Sequence, residues 1–205
     1  LAFAIYLVLH EIFFNKKIIN LVFFLYSFFA ISMTINMFIT GGRAGQVAFF
    51  VMLSILIFQV LDKQRISAFI TILIVIPTIF LTAYQTSDLF QKRVDIAAKA
   101  LVQYSNEDRS AVGIRINYVI NSWQVMKKNP IIGIGTGDFP TEYSKINKIN
   151  SPMMPDSENP HNMYILVLMQ LGLVGLFSLL SIFYYQIQYS YNSSSKFIRD
   201  VGITL

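Results

Sequence analysis

Three residues, far apart in the chain, carry the chemistry to handle a phosphorylated substrate. Arg43 sits in Thr40-Gly41-Gly42-Arg43-Ala44-Gly45, between two apolar stretches. A guanidinium offers a planar pair of donors that grips a phosphate at two points. The glycines around it let a ligand or another backbone come close. The plainer reading is an interfacial arginine reaching for lipid headgroups. Arg115 stands at the edge of the apolar stripe of an amphipathic segment, where water or a ligand can pair with it. His161 lies in Asn159-Pro160-His161-Asn162, just before another apolar stretch. Imidazole titrates near neutral pH and can accept a proton from an alcohol. A histidine bonded to backbone at a helix start is the alternative.

Other polar residues carry weaker signals. Arg109, Lys127 and Lys128 flank helical segments, where charges face water. His10 lies in an apolar run and reads as structural. Asp156-Ser157-Glu158 precedes His161, so hard oxygen ligands for a divalent cation are conceivable, against a solvated proline-rich loop. Gly133-Ile134-Gly135-Thr136-Gly137 does not fit the dinucleotide fingerprint and has no βαβ setting, so it reads as a tight turn returning the chain to the membrane.

The elements that must position these groups are membrane helices. The chain has 205 residues, 55% hydrophobic and only 13% charged. Soluble domains carry about 25% charged residues, so a soluble fold and a disordered chain are both excluded. No cysteine is present, which removes disulfides and thiolate metal sites. The net charge of +5 comes without a dense basic cluster and does not point to nucleic acid. Apolar stretches at Ile18–Ile39, Ala44–Leu61, Ile66–Tyr84 and Met163–Tyr189 are long enough, or nearly so, to cross a bilayer core of about 30 Å. Leu1–Phe14 reads as the tail of a preceding span, and Val201–Leu205 as the start of a further one. A chain that opens on Leu1 and lacks a signal peptide reads as part of a longer polytopic protein. The expected fold is therefore all-α, a polytopic membrane helical bundle with a partly helical external segment.

Charge sets the expected sidedness. Lys16 and Lys17, Lys63 and Arg65, and Lys196 and Arg199 fill short connections two crossings apart. The positive-inside rule makes these cytoplasmic. The turn holding Arg43 and the segment before His161 are then external. Residues 1–84 form the first spans, residues 85–161 a long external segment, and residues 162–205 a last span, a cytoplasmic loop and the start of another span. The spans are nearly free of ionisable groups, unlike those of a transporter, which places such groups near the midplane.

Within the external segment, Leu89, Phe90, Val94, Ala97, Ala98, Leu101 and Val102 recur at helical spacing. So do Val112, Ile116, Val119, Ile120, Trp123 and Met126. Asn129-Pro130 should end that second helix. Phe139, Tyr143 and Ile146 suggest a third, with Asp138 as cap and Pro140 in the first turn. Asn159-Pro160 reads as cap and first turn of the last span.

Taken together, these motifs resemble the O-antigen ligase and O-antigen polymerase family of bacterial inner-membrane glycosyltransferases. The likeness runs from about Thr40 to Phe177. It rests on the Thr-Gly-Gly-Arg turn, Arg115, Asn129-Pro130-Ile131-Ile132-Gly133-Ile134-Gly135-Thr136-Gly137-Asp138-Phe139, Pro160-His161-Asn162-Met163-Tyr164, and Gln170-Leu171-Gly172-Leu173-Val174-Gly175-Leu176. Gly42 and Ala44 depart from the family's usual Ser and Gly. The resemblance implies transfer of a glycan from undecaprenyl diphosphate on the periplasmic face, without metal or other cofactor. The acceptor would be lipid A-core, a growing polysaccharide chain or protein. Arg43 and Arg115 would hold the diphosphate, and His161 would act as base. The other class to weigh is a non-enzymatic polysaccharide-export or scaffold membrane protein.

Overall fold

The computed structural model describes residues 1–15, 17–40, 42–102 and 111–205. Lys16, Gly41 and Arg109 lie outside the described residues, as does the Leu101 side chain. Among the described residues the secondary structure is entirely helical. In chain order the helices are α1 (Ala2–Phe14), α2 (Asn20–Thr40), α3 (Arg43–Val60), α4 (Arg65–Thr86), α5 (Asp88–Val102), α6 (Ala111–Met126), α7 (Phe139–Asn150), α8 (Met163–Tyr191) and α9 (Lys196–Thr204). Four of them, α2, α3, α4 and α8, are long and apolar enough to cross a membrane. Exposure agrees with lipid contact: Phe23, Phe24, Leu25, Phe28 and Phe29 on α2, and Phe69, Ile70, Leu73 and Ile74 on α4, are all exposed. Apolar patches of that extent are rare on soluble monomers. The protein is a polytopic membrane helical bundle.

The chain divides into two compact units. The first comprises Leu1–Val94 and Ser190–Leu205, the second Asp95–Tyr189. In the first unit α1 packs on α2 and α3, and α3 packs on α4 and α9. Its core is built on aromatic contacts. Phe38 meets Phe49 and Phe90 edge to face, with ring centroids 6.1 and 5.2 Å apart. The Ser87 hydroxyl donates to the Phe38 carbonyl at 3.1 Å, tying the α4–α5 junction to the end of α2. Pro77 sits inside α4, which continues through it. A span tolerates such a proline because neighbouring groups absorb the lost bond.

In the second unit α6 packs on α7. The core holds Tyr118, Val125, Phe139, Tyr143 and Met169. Phe139 stacks on Tyr143 at 5.3 Å, and Tyr118 meets Tyr143 edge on at 5.7 Å. The buried face of α6 matches its expected apolar stripe only in part: Met126 is buried and Val112 and Ile116 are half-buried. Asn117, Asn121 and Ser122 are buried, whereas Val119, Ile120 and Trp123 are exposed. The amides are accommodated because α7 answers them in kind. Asn121 donates to Asn147 at 3.3 Å, Asn150 donates to Asn121 at 3.0 Å, and Ser151 donates to Asn117 at 3.3 Å. A buried amide is tolerated only when so paired.

The stretch expected as one straight span, Met163–Tyr189, is broken. Gly172 has φ 64 and ψ −159, which no helix contains. The two arms of α8 fold back on each other there. Tyr164 and Phe183 have ring centroids 6.4 Å apart, although a straight helix would separate nineteen residues by about 28 Å. A groove of about 540 Å³ runs between the arms, with Val167 and Leu171 on one side and Ser178, Leu179 and Ile182 on the other. The second arm, residues 173–191, has a length of about 28 Å and is alone long enough to approach a bilayer's thickness.

The break strands four backbone groups, and one loop satisfies them all. In an unbroken helix the Leu173 and Val174 N–H groups would donate to the Met169 and Gln170 carbonyls. Here Ile134 and Gly135 donate to those carbonyls at 2.8 and 3.0 Å. Leu173 and Val174 donate instead to the carbonyls of Pro130 and Ile131, at 2.9 and 3.2 Å. The approach is close enough to demand glycine on both sides. A Cβ on Gly133 would stand 2.5 Å from the Gln170 backbone, and one on Gly172 would stand 2.2 Å from the Ile131 carbonyl oxygen. The residues 129–137 and 169–175 thus form one clasp.

Candidate functional site

His161 is shaped by the residues on either side of it. Asn159 Oδ1 accepts the His161 N–H at 2.7 Å, across Pro160. This bend turns His161 into the left-handed region, with φ 52, the only non-glycine residue so placed among the described residues. For a residue with a Cβ that conformation costs about 1–2 kcal/mol, and strain of this kind collects at functional sites. The expected helix start at Asn159-Pro160 is therefore displaced. Asn159 holds the histidine, and α8 begins at Met163, where Asn162 Oδ1 accepts the Ile165 N–H at 3.2 Å. A left-handed residue cannot continue a right-handed helix, so His161 must precede it. The side chain is left exposed.

Arg115 lies one helical turn before Tyr118, the residue that meets His161. The two are three residues apart on α6 and so share a face. The Tyr118 ring lies 5.8 Å from the His161 ring, tilted by 32°. Arg115 is exposed and has no acidic partner among the described residues. A guanidinium one helical turn from the tyrosine that meets an exposed imidazole suits an anionic substrate with a hydroxyl to deprotonate. Tyr118 does not stand out in the sequence, and Asn159 does so only as a helix cap, not as the residue that holds His161. The Asn-x-His spacing was the available signal, because an asparagine readily bonds the backbone N–H two residues on.

Arg43 belongs to the first unit. It is the first residue of α3, with Gly42 as N-cap, no side-chain cap and no acidic residue in the first turn. A helix N-terminus already carries partial positive charge, and Arg43 adds a full one. Among the described residues no acidic side chain pairs with Arg43, which favours an arriving anion. The space is open, since a Cβ on Gly42 or Gly45 would meet nothing within 4 Å. The buried Gln46 amide donates to the Met37 carbonyl at 3.2 Å and pins the turn behind Arg43.

The weaker candidates resolve into structural parts. Asp156 accepts from Ser144 at 2.7 Å and from Asn147 at 3.0 Å. Those bonds, the Ser144 hydroxyl foremost, hold its carboxyl below the usual carboxylate range. Among the described residues no group of three His, Asp or Glu is placed to hold a metal ion. Lys128 lies 3.7 Å from Glu142, which Lys145 also pairs. The glycine-rich turn spends its Ile134 and Gly135 N–H groups on the Met169 and Gln170 carbonyls, so it is not a phosphate cradle. Asp138 is the residue before α7 and Pro140 lies in its first turn, as expected, but the Asp138 side chain makes no capping bond.

Comparison with known proteins adds one match. A family model described as O-antigen ligase aligns with residues 28–180. No curated protein and no solved structure gives a significant match. The aligned region takes in Arg43, Arg115, His161 and both halves of the clasp, and it covers well over half of the sequence. The chain belongs to the O-antigen ligase family.

Proposed function

We propose that the protein moves a glycan from undecaprenyl diphosphate to an acceptor on the periplasmic face of the bacterial inner membrane. Family membership supports a glycosyltransferase of the O-antigen ligase kind. The observation that carries the mechanism is the held, exposed His161, set against Tyr118 one turn from Arg115, which has no acidic partner among the described residues. The acceptor oxygen or amide nitrogen attacks the anomeric carbon, and its proton passes to the His161 imidazole. The bond from that carbon to the diphosphate oxygen breaks, and its electron pair leaves with undecaprenyl diphosphate. Arg43 and Arg115 neutralise the charge that grows on the leaving group. No metal takes part; Asp156, the carboxylate best placed to suggest one, is committed to Ser144 and Asn147. The acceptor is lipid A-core, a growing polysaccharide chain or protein. The basic connections at Lys63, Arg65, Lys196 and Arg199 support a cytoplasmic assignment for that end of the bundle.

Transfer by the purified full-length protein, measured beside donor binding, tests the roles. Arg43→Lys and Arg115→Lys should lose transfer while the protein still inserts, because lysine keeps the charge but not the two-point grip. His161→Ala should lose about 10²–10⁴-fold in turnover, the usual contribution of a general base, and still retain the donor. Loss of donor binding in His161→Ala, with Arg43→Lys near normal in both measurements, would refute the assignment.

A further inference from the structure

At the end of the first unit that carries Lys63 and Lys196, buried polar groups hold α9 in place. His10 Nε2 lies 3.2 Å from Asp200 Oδ2, and both residues are buried. The Tyr6 hydroxyl donates to Gln59 at 2.9 Å, and the Gln59 amide donates to the Asp200 carbonyl at 3.0 Å and to Thr204 at 3.3 Å. Buried ionisable groups are costly in a membrane bundle and are retained where they serve a purpose. These take no part in the chemistry proposed above.

What they fix is the wall of a groove. It has a volume of about 650 Å³ and lies between α3, α9 and the end of α8. Its apolar wall is Ile55, Phe58 and Ile203, and its rim carries Lys196, Arg199 and Asp62. Lys196 is held over the Phe14 ring, 4.0 Å from the centroid, and Arg199 Nε rests 3.9 Å from Asp200 Oδ1. On α9 itself Phe197 and Ile198 are exposed between the two cations. That mixture is the pattern of a helix lying at a membrane surface.

We infer that this groove is a binding site for a glycerophospholipid whose headgroup joins a phosphodiester to a primary amine. Lys196 and Arg199, one turn apart, take the phosphodiester. Asp62 takes the ammonium; of the two carboxylates lining the groove, Asp200 already faces His10 and Arg199, whereas Asp62 has no cationic partner among the described residues and a purely anionic headgroup would repel it. An acyl chain follows Ile55, Phe58 and Ile203, a surface continuous with the lipid-facing side of α3. A free phosphate compound would use the cations and leave the apolar wall bare. The lipid belongs to the cytoplasmic leaflet on the sidedness proposed above, but its binding can be measured without that assignment.

The test is native mass spectrometry of the purified full-length protein in detergent, titrated with phosphatidylethanolamine, phosphatidylglycerol or phosphatidylcholine. The ethanolamine lipid should bind several-fold more tightly than the other two. Lys196→Gln with Arg199→Gln should abolish that binding, and Asp62→Asn should remove the preference over phosphatidylglycerol. All three side chains are on the rim, so the fold should persist. Soluble glycerophosphoethanolamine should fail to compete. Equal binding of the three lipids, unchanged binding by the double variant, or full competition by the soluble headgroup would each overturn the inference. None of these results would bear on the sidedness or on the transfer reaction.

Discussion

Replacing Gly172 by alanine should open the clasp, and the size of the effect can be worked from its geometry. The new Cβ would lie 2.2 Å from the Ile131 oxygen, 2.4 Å from the Ile131 carbon and 2.6 Å from the Gly133 nitrogen. All three are backbone atoms, so no side chain can swing away. The torsions at Gly172 are also ones that alanine adopts only at a cost of about 1–3 kcal/mol. Relief requires the loop to withdraw, which forfeits four backbone hydrogen bonds worth about 0.5–1.5 kcal/mol each. The total is about 3–9 kcal/mol, comparable with the whole stability of a typical domain. The absence of cysteine permits a direct assay. With cysteines at positions 164 and 183, whose native rings are 6.4 Å apart, a short bismaleimide should bridge the two arms. Gly172→Ala should abolish the bridge. Gly137→Ala is the control: its φ of 91 costs something, but its Cβ would meet nothing within 4 Å, so the bridge should survive. Undiminished bridging in Gly172→Ala would refute the clasp as the element that folds α8 back.

Three further outcomes are expected. Asn159→Ala removes the acceptor that holds the His161 N–H, so kcat should fall with KM little changed; a rise in KM alone would argue against a positioning role. The Asp156 carboxyl is held low by Ser144 and Asn147, so its contribution is complete above the ordinary carboxylate range and is lost as pH falls through the lowered value. Protection of the Met154 amide, relative to its intrinsic exchange rate at each pH, should therefore fall in acid in the parent protein and be independent of pH in Asp156→Asn, while transfer at neutral pH survives chelator in both. Cysteines at positions 63 and 196 should resist a membrane-impermeant reagent in whole cells, and one at position 153 should react; labelling at 63 would invert the sidedness.

Most of the helices were legible because their signals are local. Hydropathy located α2, α3 and α4 to within about three residues, the usual uncertainty at helix ends. Helical spacing located α5, α6 and α7. The break at Gly172 was not legible, because hydropathy runs on evenly from Met163 to Tyr189 and glycine is common in membrane helices. Its cause lies some forty residues earlier, in a loop whose N–H groups take over the helix's bonds. Part of the buried face of α6 escaped for a related reason. Val119, Ile120 and Trp123 make the obvious stripe, but Asn117 and Asn121 are the residues that α7 can satisfy. The candidates Arg43, Arg115 and His161 stood out by residue type and motif. The contact between Tyr118 and His161 did not, since it depends on a tertiary approach across more than forty residues.

The clasp also constrains how this sequence can vary. Its two strips of backbone complete each other's hydrogen bonding, so neither has a stable form alone. A chimera that takes residues 169–175 from a relative while keeping its own 129–137 joins two halves cut to different patterns. Exchanged together, the strips travel as a cassette and carry their fit with them. The side chains of Ile131 and Ile132 stay exposed and free to drift, while Gly133 and Gly172 are bound to each other's presence. Two glycines that look like incidental flexibility in the sequence are thus a matched pair, and a change at either is a change at both.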